Sequence, residues 1–239
     1  MGSALGPRPP WDESREPILR SPRVVTSFIV LFVAVHVASQ FLTQGQYDYL
    51  IDNFSLIPEH VAASRWNGLA FGVESLAAVL PFVSYAFLHG DFVHLIFNSL
   101  WFLVFATAVA RRIGTRRFLL LLLVTTLGAA FTHIACHWGA PEPVVGASGA
   151  VSGLMGAAFR FIFIDPRMTP VWPPARLRLT SRPVLLASAV WIALNIVFGV
   201  SGFTPDGFGR AIAWEAHIGG FLTGLLLFPL FDRQRSWIS

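Results

Sequence analysis

The 239-residue chain has no lysine, one cysteine and few charges of either sign. Charged residues make up 13%, about half the usual share of a water-soluble domain, while 54% are apolar. That balance excludes an ordinary soluble fold. The lone Cys136 excludes an intramolecular disulfide framework. All 17 basic residues are arginines, and they sort by loop instead of gathering on one face, which argues against a nucleic-acid partner despite a net charge of +4. Arginine without lysine fits a GC-rich bacterial genome. Residues 1–23 mix Asp12, Glu13 and Glu16 with arginine and proline. This pattern belongs to neither a signal peptide nor a transit peptide, and a short cytoplasmic tail is expected.

What the chain does have is long apolar runs. Windows able to span a bilayer occur at 24–42, 92–109, 118–137, 148–164, 184–200 and 211–231. The expected fold is an all-α polytopic membrane protein, a six-transmembrane-helix bundle over residues 24–232, with a cytoplasmic C-terminal tail at 233–239. Every arginine except Arg65 and Arg210 falls in a tail or around the second and fourth connections. Cytoplasmic loops carry the excess of Lys and Arg, so both termini are expected to be cytoplasmic. The first external connection, 43–90, holds Phe54, Leu56, Ile57, Trp66, Leu69, Phe71 and Phe82. It is too apolar for a solvated loop and is expected to lie in the membrane interface. Trp66 reads equally as a lipid anchor or a substrate gate.

Polar side chains inside a bilayer are expensive and mark function by default. His94 and Asn98 stand at i, i+4 behind Asp91, an N-cap residue, and share a helix face. Ser148 opens a helix rich in small residues after the segment 141–147. Its 17-residue window is about 25 Å long, short for a ~30 Å hydrocarbon core. The helix should begin below the outer surface, preceded by irregular backbone covered by protein or lining a wet cavity. In the sixth window His217 is followed by Gly220 and Gly224 at i+3 and i+7, and Gly146 and Gly149 flank Ser148. Small residues let helices approach closely, so these glycines are packing residues that bring an imidazole to a serine hydroxyl. His217 is expected about six residues, or ~9 Å, into its helix.

A serine nucleophile needs a base within hydrogen-bond reach and donors for the oxyanion. Ser148 and His217 supply the first pair; Asn98, His94 and the unpaired N–H groups at the start of the Ser148 helix supply the donors. Glu215, two residues from His217, points elsewhere on its helix, so the reading is a dyad. His133, Cys136 and His137 mimic part of a metal site, but no fourth ligand is evident in the sequence, and no metal or other cofactor is expected.

Three ordered motifs carry a resemblance. They are H-G-D-x-x-H-L-x-x-N from His89 to Asn98, G-A-S-G from Gly146 to Gly149 and A-H-I-G-G-x-x-x-G from Ala216 to Gly224. Together they resemble the rhomboid family of intramembrane serine proteases across nearly all six windows. The resemblance implies a Ser148–His217 dyad, an oxyanion held by His94, Asn98 and the Ser148 backbone N–H, and a structural His89. It also implies transmembrane protein substrates in contact with the lipid bilayer, cut near the external leaflet of a bacterial cytoplasmic membrane. Three departures accompany it. A Trp-Arg pair before the first histidine is replaced by Leu80-Pro81, an acidic residue late in the second span by Ala110, and an aromatic one turn after the serine by Ser152. The last implies a less restrained His217 ring, the first a differently anchored loop. A helix-binding pseudoenzyme and a small transporter lined by the same polar residues are the alternatives.

Overall fold

The computed structural model describes residues 21–63, 79–164, 176–201, 213–232 and 237–238. The tail 1–20, the loop residues Trp66, Leu69 and Phe71, the Pro-rich stretch 169–174, the start of the sixth window at 211–212 and most of 233–239 lie outside the described residues. Within them the chain is mostly helical: α1 Arg23–Ser39, α2 Gln44–Phe54, α3 Pro58–Ala63, α4 Pro81–Ser84, a 3-10 turn Tyr85–Phe87, α5 Phe92–Ile113, α6 Thr115–Cys136, α7 Ser148–Phe159, α8 Arg182–Ser201 and α9 Trp214–Phe231. Two-residue strands β1 Arg176–Leu177 and β2 Trp237–Ile238 pair in parallel, so part of the expected C-terminal tail takes up backbone pairing.

Among the described residues four helices, α5, α6, α8 and α9, are long and apolar enough to cross a membrane, and α1 and α7 are shorter apolar helices. The outward faces of the long helices carry exposed Leu100, Trp101, Val104, Leu185, Val190 and Leu226. Apolar faces this continuous are covered by lipid, not water. Inside, Phe102, Phe118, Leu121, Leu154, Phe221 and Phe228 are almost fully buried and form one core shared by α5, α6, α7 and α9. Phe28 and Phe32 lean α1 against it through Phe102, at ring-centroid distances of 5.8 and 5.3 Å.

The fourth apolar helix is shorter than its window. It ends at Phe159, 12 residues long, or about 18 Å, instead of continuing to Ile164. The cause is Arg160, a buried cation at the helix end. Its guanidinium donates to the carbonyls of Leu177 and Leu225 at 3.1 and 2.8 Å, while its own carbonyl accepts from the Leu177 N–H at 2.7 Å. A charge this deep must be fully hydrogen-bonded, and the chain leaves the helix to achieve it. Every residue from Gly149 to Ala158 is buried, so α7 sits inside the bundle and not on its lipid face. Beyond the same end of the bundle Arg112 and Asp232 form a buried ion pair at 2.9 Å, and Arg176 donates to the carbonyls of Pro229 and Asp232.

At the opposite end, the loop between α1 and α5 holds the segment that enters α7. Leu56 and Val144 form an antiparallel bridge with N–H to O distances of 3.0 and 2.9 Å. Glu59 N–H donates to the Ala140 carbonyl and Gly146 N–H to the Tyr85 carbonyl, both at 2.9 Å. The irregular backbone ahead of Ser148 is thus paired by protein, as buried backbone polar groups require. Ser84 ties α4 to α2 by donating to the Phe54 carbonyl at 2.8 Å.

Candidate active site

Helices α7 and α9 touch backbone to backbone. A Cβ on Gly220 would collide with the Gly149 carbonyl, and one on Gly224 with the Gly153 carbonyl. Ser148 stands one residue before the first of these contacts and His217 three residues before Gly220. The glycine contact therefore sets the separation of the two side chains, and His217 Nε2 lies 2.8 Å from Ser148 Oγ. Because α9 begins at Trp214, His217 is one turn, or about 5 Å, into its helix, not the six residues expected. The serine, at the mouth of the short α7, is partly exposed and can be reached.

The other face of the imidazole meets a residue that sequence reasoning missed. His217 Nδ1 is 2.9 Å from Asn195 Oδ1, and Asn195 Nδ2 donates to the Trp191 carbonyl at 2.9 Å within α8. That second bond fixes which way the amide points: the NH2 group faces a carbonyl, so the oxygen faces His217. An amide oxygen only accepts, so Nδ1 carries the proton and Nε2 offers its lone pair to the serine hydroxyl. Asn195 is buried, and an amide within the apolar run of the fifth window was the available signal. Both nitrogens of the ring are thus within hydrogen-bond distance of a partner. Ser152 itself donates to the Ser148 carbonyl at 2.8 Å.

His94 and Asn98 lie on the α5 face that meets the chain entering Ser148. Asp91 caps α5, its Oδ1 accepting from His94 N–H at 2.8 Å. Asn98 Nδ2 donates to the His94 carbonyl at 3.0 Å, leaving its second N–H. Both side chains approach Gly146, whose φ of 119° is a conformation that favours glycine. A Cβ there would stand 2.7 Å from the His94 ring and 3.7 Å from Asn98 Nδ2. The structure therefore gathers Ser148, His217, Asn98, His94, Gly146 and Gly149 into one place, with Gly220 and Gly224 behind it.

His89 belongs to the scaffold. Its buried ring lies between Phe32 and His94, at 5.5 and 5.3 Å between centroids, and its carbonyl accepts from His36 Nδ1 at 3.1 Å. Burial, reinforced by His94, holds this ring's pKa down to about 3, so it stays neutral. Tyr85 was also missed: almost fully buried, it donates to the Thr126 carbonyl at 2.9 Å while its own carbonyl holds Gly146.

Fold and site define a polytopic helical membrane protein with a serine–imidazole pair at a buried helix N-terminus, a geometry able to carry out acyl transfer. The Rhomboid domain family model matches residues 77–234, and the chain belongs to the rhomboid family. It is similar to the Rhomboid protease GlpG of Yersinia pestis (strain Pestoides F), 25% identical over 181 residues, which cover 76% of this chain and 58% of that protein. It is also 31% identical over 146 residues to the Rhomboid protease GlpG of Klebsiella pneumoniae subsp. pneumoniae, covering 61% of this chain and 46% of the relative. The chain spans about half the length of the curated relatives it matches.

Proposed function

We propose that this protein is an intramembrane serine endopeptidase that hydrolyses transmembrane protein substrates near the external leaflet. In this reading six apolar helices span a bacterial cytoplasmic membrane and both termini are cytoplasmic. The observation that carries the proposal is the relay Ser148–His217–Asn195, at 2.8 and 2.9 Å, with its tautomer fixed. Ser148 Oγ attacks the scissile carbonyl carbon, and its proton passes to His217 Nε2. The oxyanion is stabilised by the Ser148 N–H, at the positive end of the α7 dipole, and by Asn98 and His94. Collapse breaks the C–N bond, and His217 returns the proton to the departing amine. Water then attacks the acyl carbon as His217 takes its proton, and His217 returns that proton to Ser148 Oγ as the ester C–O bond breaks. No step calls for a metal or an organic cofactor.

The test is a reaction of the full chain in detergent with a model transmembrane substrate, alongside a fluorophosphonate that labels activated serines. Cleavage with labelling confined to Ser148 is the expected result. A wild type that neither cuts several such substrates nor takes the label would overturn the proposal in favour of a helix-binding protein.

Asn195 is assigned a positioning role through His217, as the third member of related relays is in other nucleophilic hydrolases. Asn195→Ala is expected to lower kcat about 100-fold with KM little changed, the usual scale for a misplaced catalytic group. Asn195→Asp, which keeps an accepting oxygen, should recover part of the loss. Wild-type kcat in Asn195→Ala would remove the residue from the relay.

A further inference from the structure

At the end of the bundle that carries His217, the last turn of α6 meets the first turn of α9. His133 and His137 stand at i, i+4 and share a face, their rings stacked with centroids 4.6 Å apart. Glu215 faces them from α9, its Oε1 3.0 Å from His137 Nε2. One ligand atom from each of the three lies within 4.8 Å of the others. We propose that His133, His137 and Glu215 form a binding site for a divalent transition-metal ion, with zinc the best match, stapling α6 to α9 two residues from His217.

The plain alternative is an ion pair between His137 and Glu215, and it accounts for only two of the three residues. His133 is 7% exposed, and its Nδ1 has no partner among the described residues. Protonating it as well would place two stacked cations together, an unfavourable arrangement. A metal ion takes lone pairs from both imidazoles and the carboxylate at once. Zinc ligand bonds of about 2.0–2.1 Å put tetrahedral donors roughly 3.3 Å apart, so small side-chain rotations close the site. Two imidazoles with one carboxylate select zinc or its neighbours over magnesium and calcium, which prefer oxygen. The side chain of His137 is 41% exposed, which opens the fourth position to water and the site to entry. The sequence pointed to Cys136 beside these histidines. The fold instead leaves Cys136 exposed and brings in Glu215, from a helix 78 positions further along than His137.

The experiment uses the full chain in detergent, stripped with a chelator, then titrated with Zn2+ and separately with Co2+. The expected result is one equivalent bound, visible d–d absorption of low-coordinate Co2+, a Zn2+-dependent rise in the thermal unfolding midpoint and no response to Mg2+. His137→Asn and Glu215→Gln change partly exposed side chains and should leave the metal-free unfolding midpoint in place. Each should weaken binding by more than about 100-fold, beyond the 10–100-fold that loss of an outer-shell partner costs. Absence of one-to-one binding, or binding that persists unchanged in both variants, overturns the site. Neither outcome bears on cleavage, which is measured without metal.

Discussion

Replacing Ser148 with alanine is expected to lower cleavage of a transmembrane substrate by about 10⁴-fold or more, to assay background. The reason lies in what is removed. The Ser148 N–H, the α7 dipole and the Asn98 and His94 donors remain, but the atom that forms the covalent bond is gone. His217→Ala should cost nearly as much, because a neutral hydroxyl with no base is a poor nucleophile at ordinary pH. Combining the two should add little to either alone, since a relay fails as a unit. Both variants should stay folded: the Ser148 hydroxyl reaches only the His217 ring among the described contacts, and α7 and α9 meet through glycines farther along. Cleavage that survives Ser148→Ala at near wild-type rate would sink the mechanism, whatever the fate of His217→Ala.

The largest structural effect is expected at Gly224. Its Cα lies against the Gly153 carbonyl, and the neighbouring contact of Gly220 with Gly149 repeats the arrangement one turn away. Overpacking a core usually costs about 1–3 kcal/mol, because side chains shift to make room. Here the obstacle is backbone on both sides, which cannot move without parting α7 from α9. Gly224→Leu is therefore expected to destabilise the protein by about 4 kcal/mol or more, the range reserved for a specific structural failure. It should also abolish cleavage, because the helix separation that sets Ser148 against His217 is lost. Gly45→Ala is the matched control. Gly45 lies in α2 with nothing near its would-be Cβ, and alanine there should leave stability unchanged or raise it by up to about 1 kcal/mol. Unfolding followed by circular dichroism in detergent, with cleavage assayed in parallel, checks both. A Gly224→Leu protein as stable as wild type would contradict the backbone contact.

Much of the architecture was legible because its signals are local. A bilayer has a thickness, so uninterrupted apolar windows report helices whatever surrounds them, and five of the six both began and ended within about four residues of an observed helix. The exception proves instructive: the fourth window runs on through Phe161, Ile162 and Phe163, and hydropathy has no means of knowing that Arg160 is satisfied by carbonyls of Leu177 and Leu225. The candidate site was legible for a related reason. Polar groups in an apolar run, and glycines at helical spacing beside them, are costly or permissive in themselves, so Ser148, His217, His94 and Asn98 stood out from the chain alone.

By itself, then, the sequence determined that this is a helical membrane protein of the rhomboid family and which polar residues it sets aside. Only the tertiary structure decided their partners: Asn195 behind His217, Tyr85 and Leu56 holding the backbone that leads to Ser148, and Glu215 facing His133 and His137. Those pairings join residues far apart in the chain, and they depend on how the helices that carry or flank them rotate and cross, which close packing of whole faces fixes and no local pattern records.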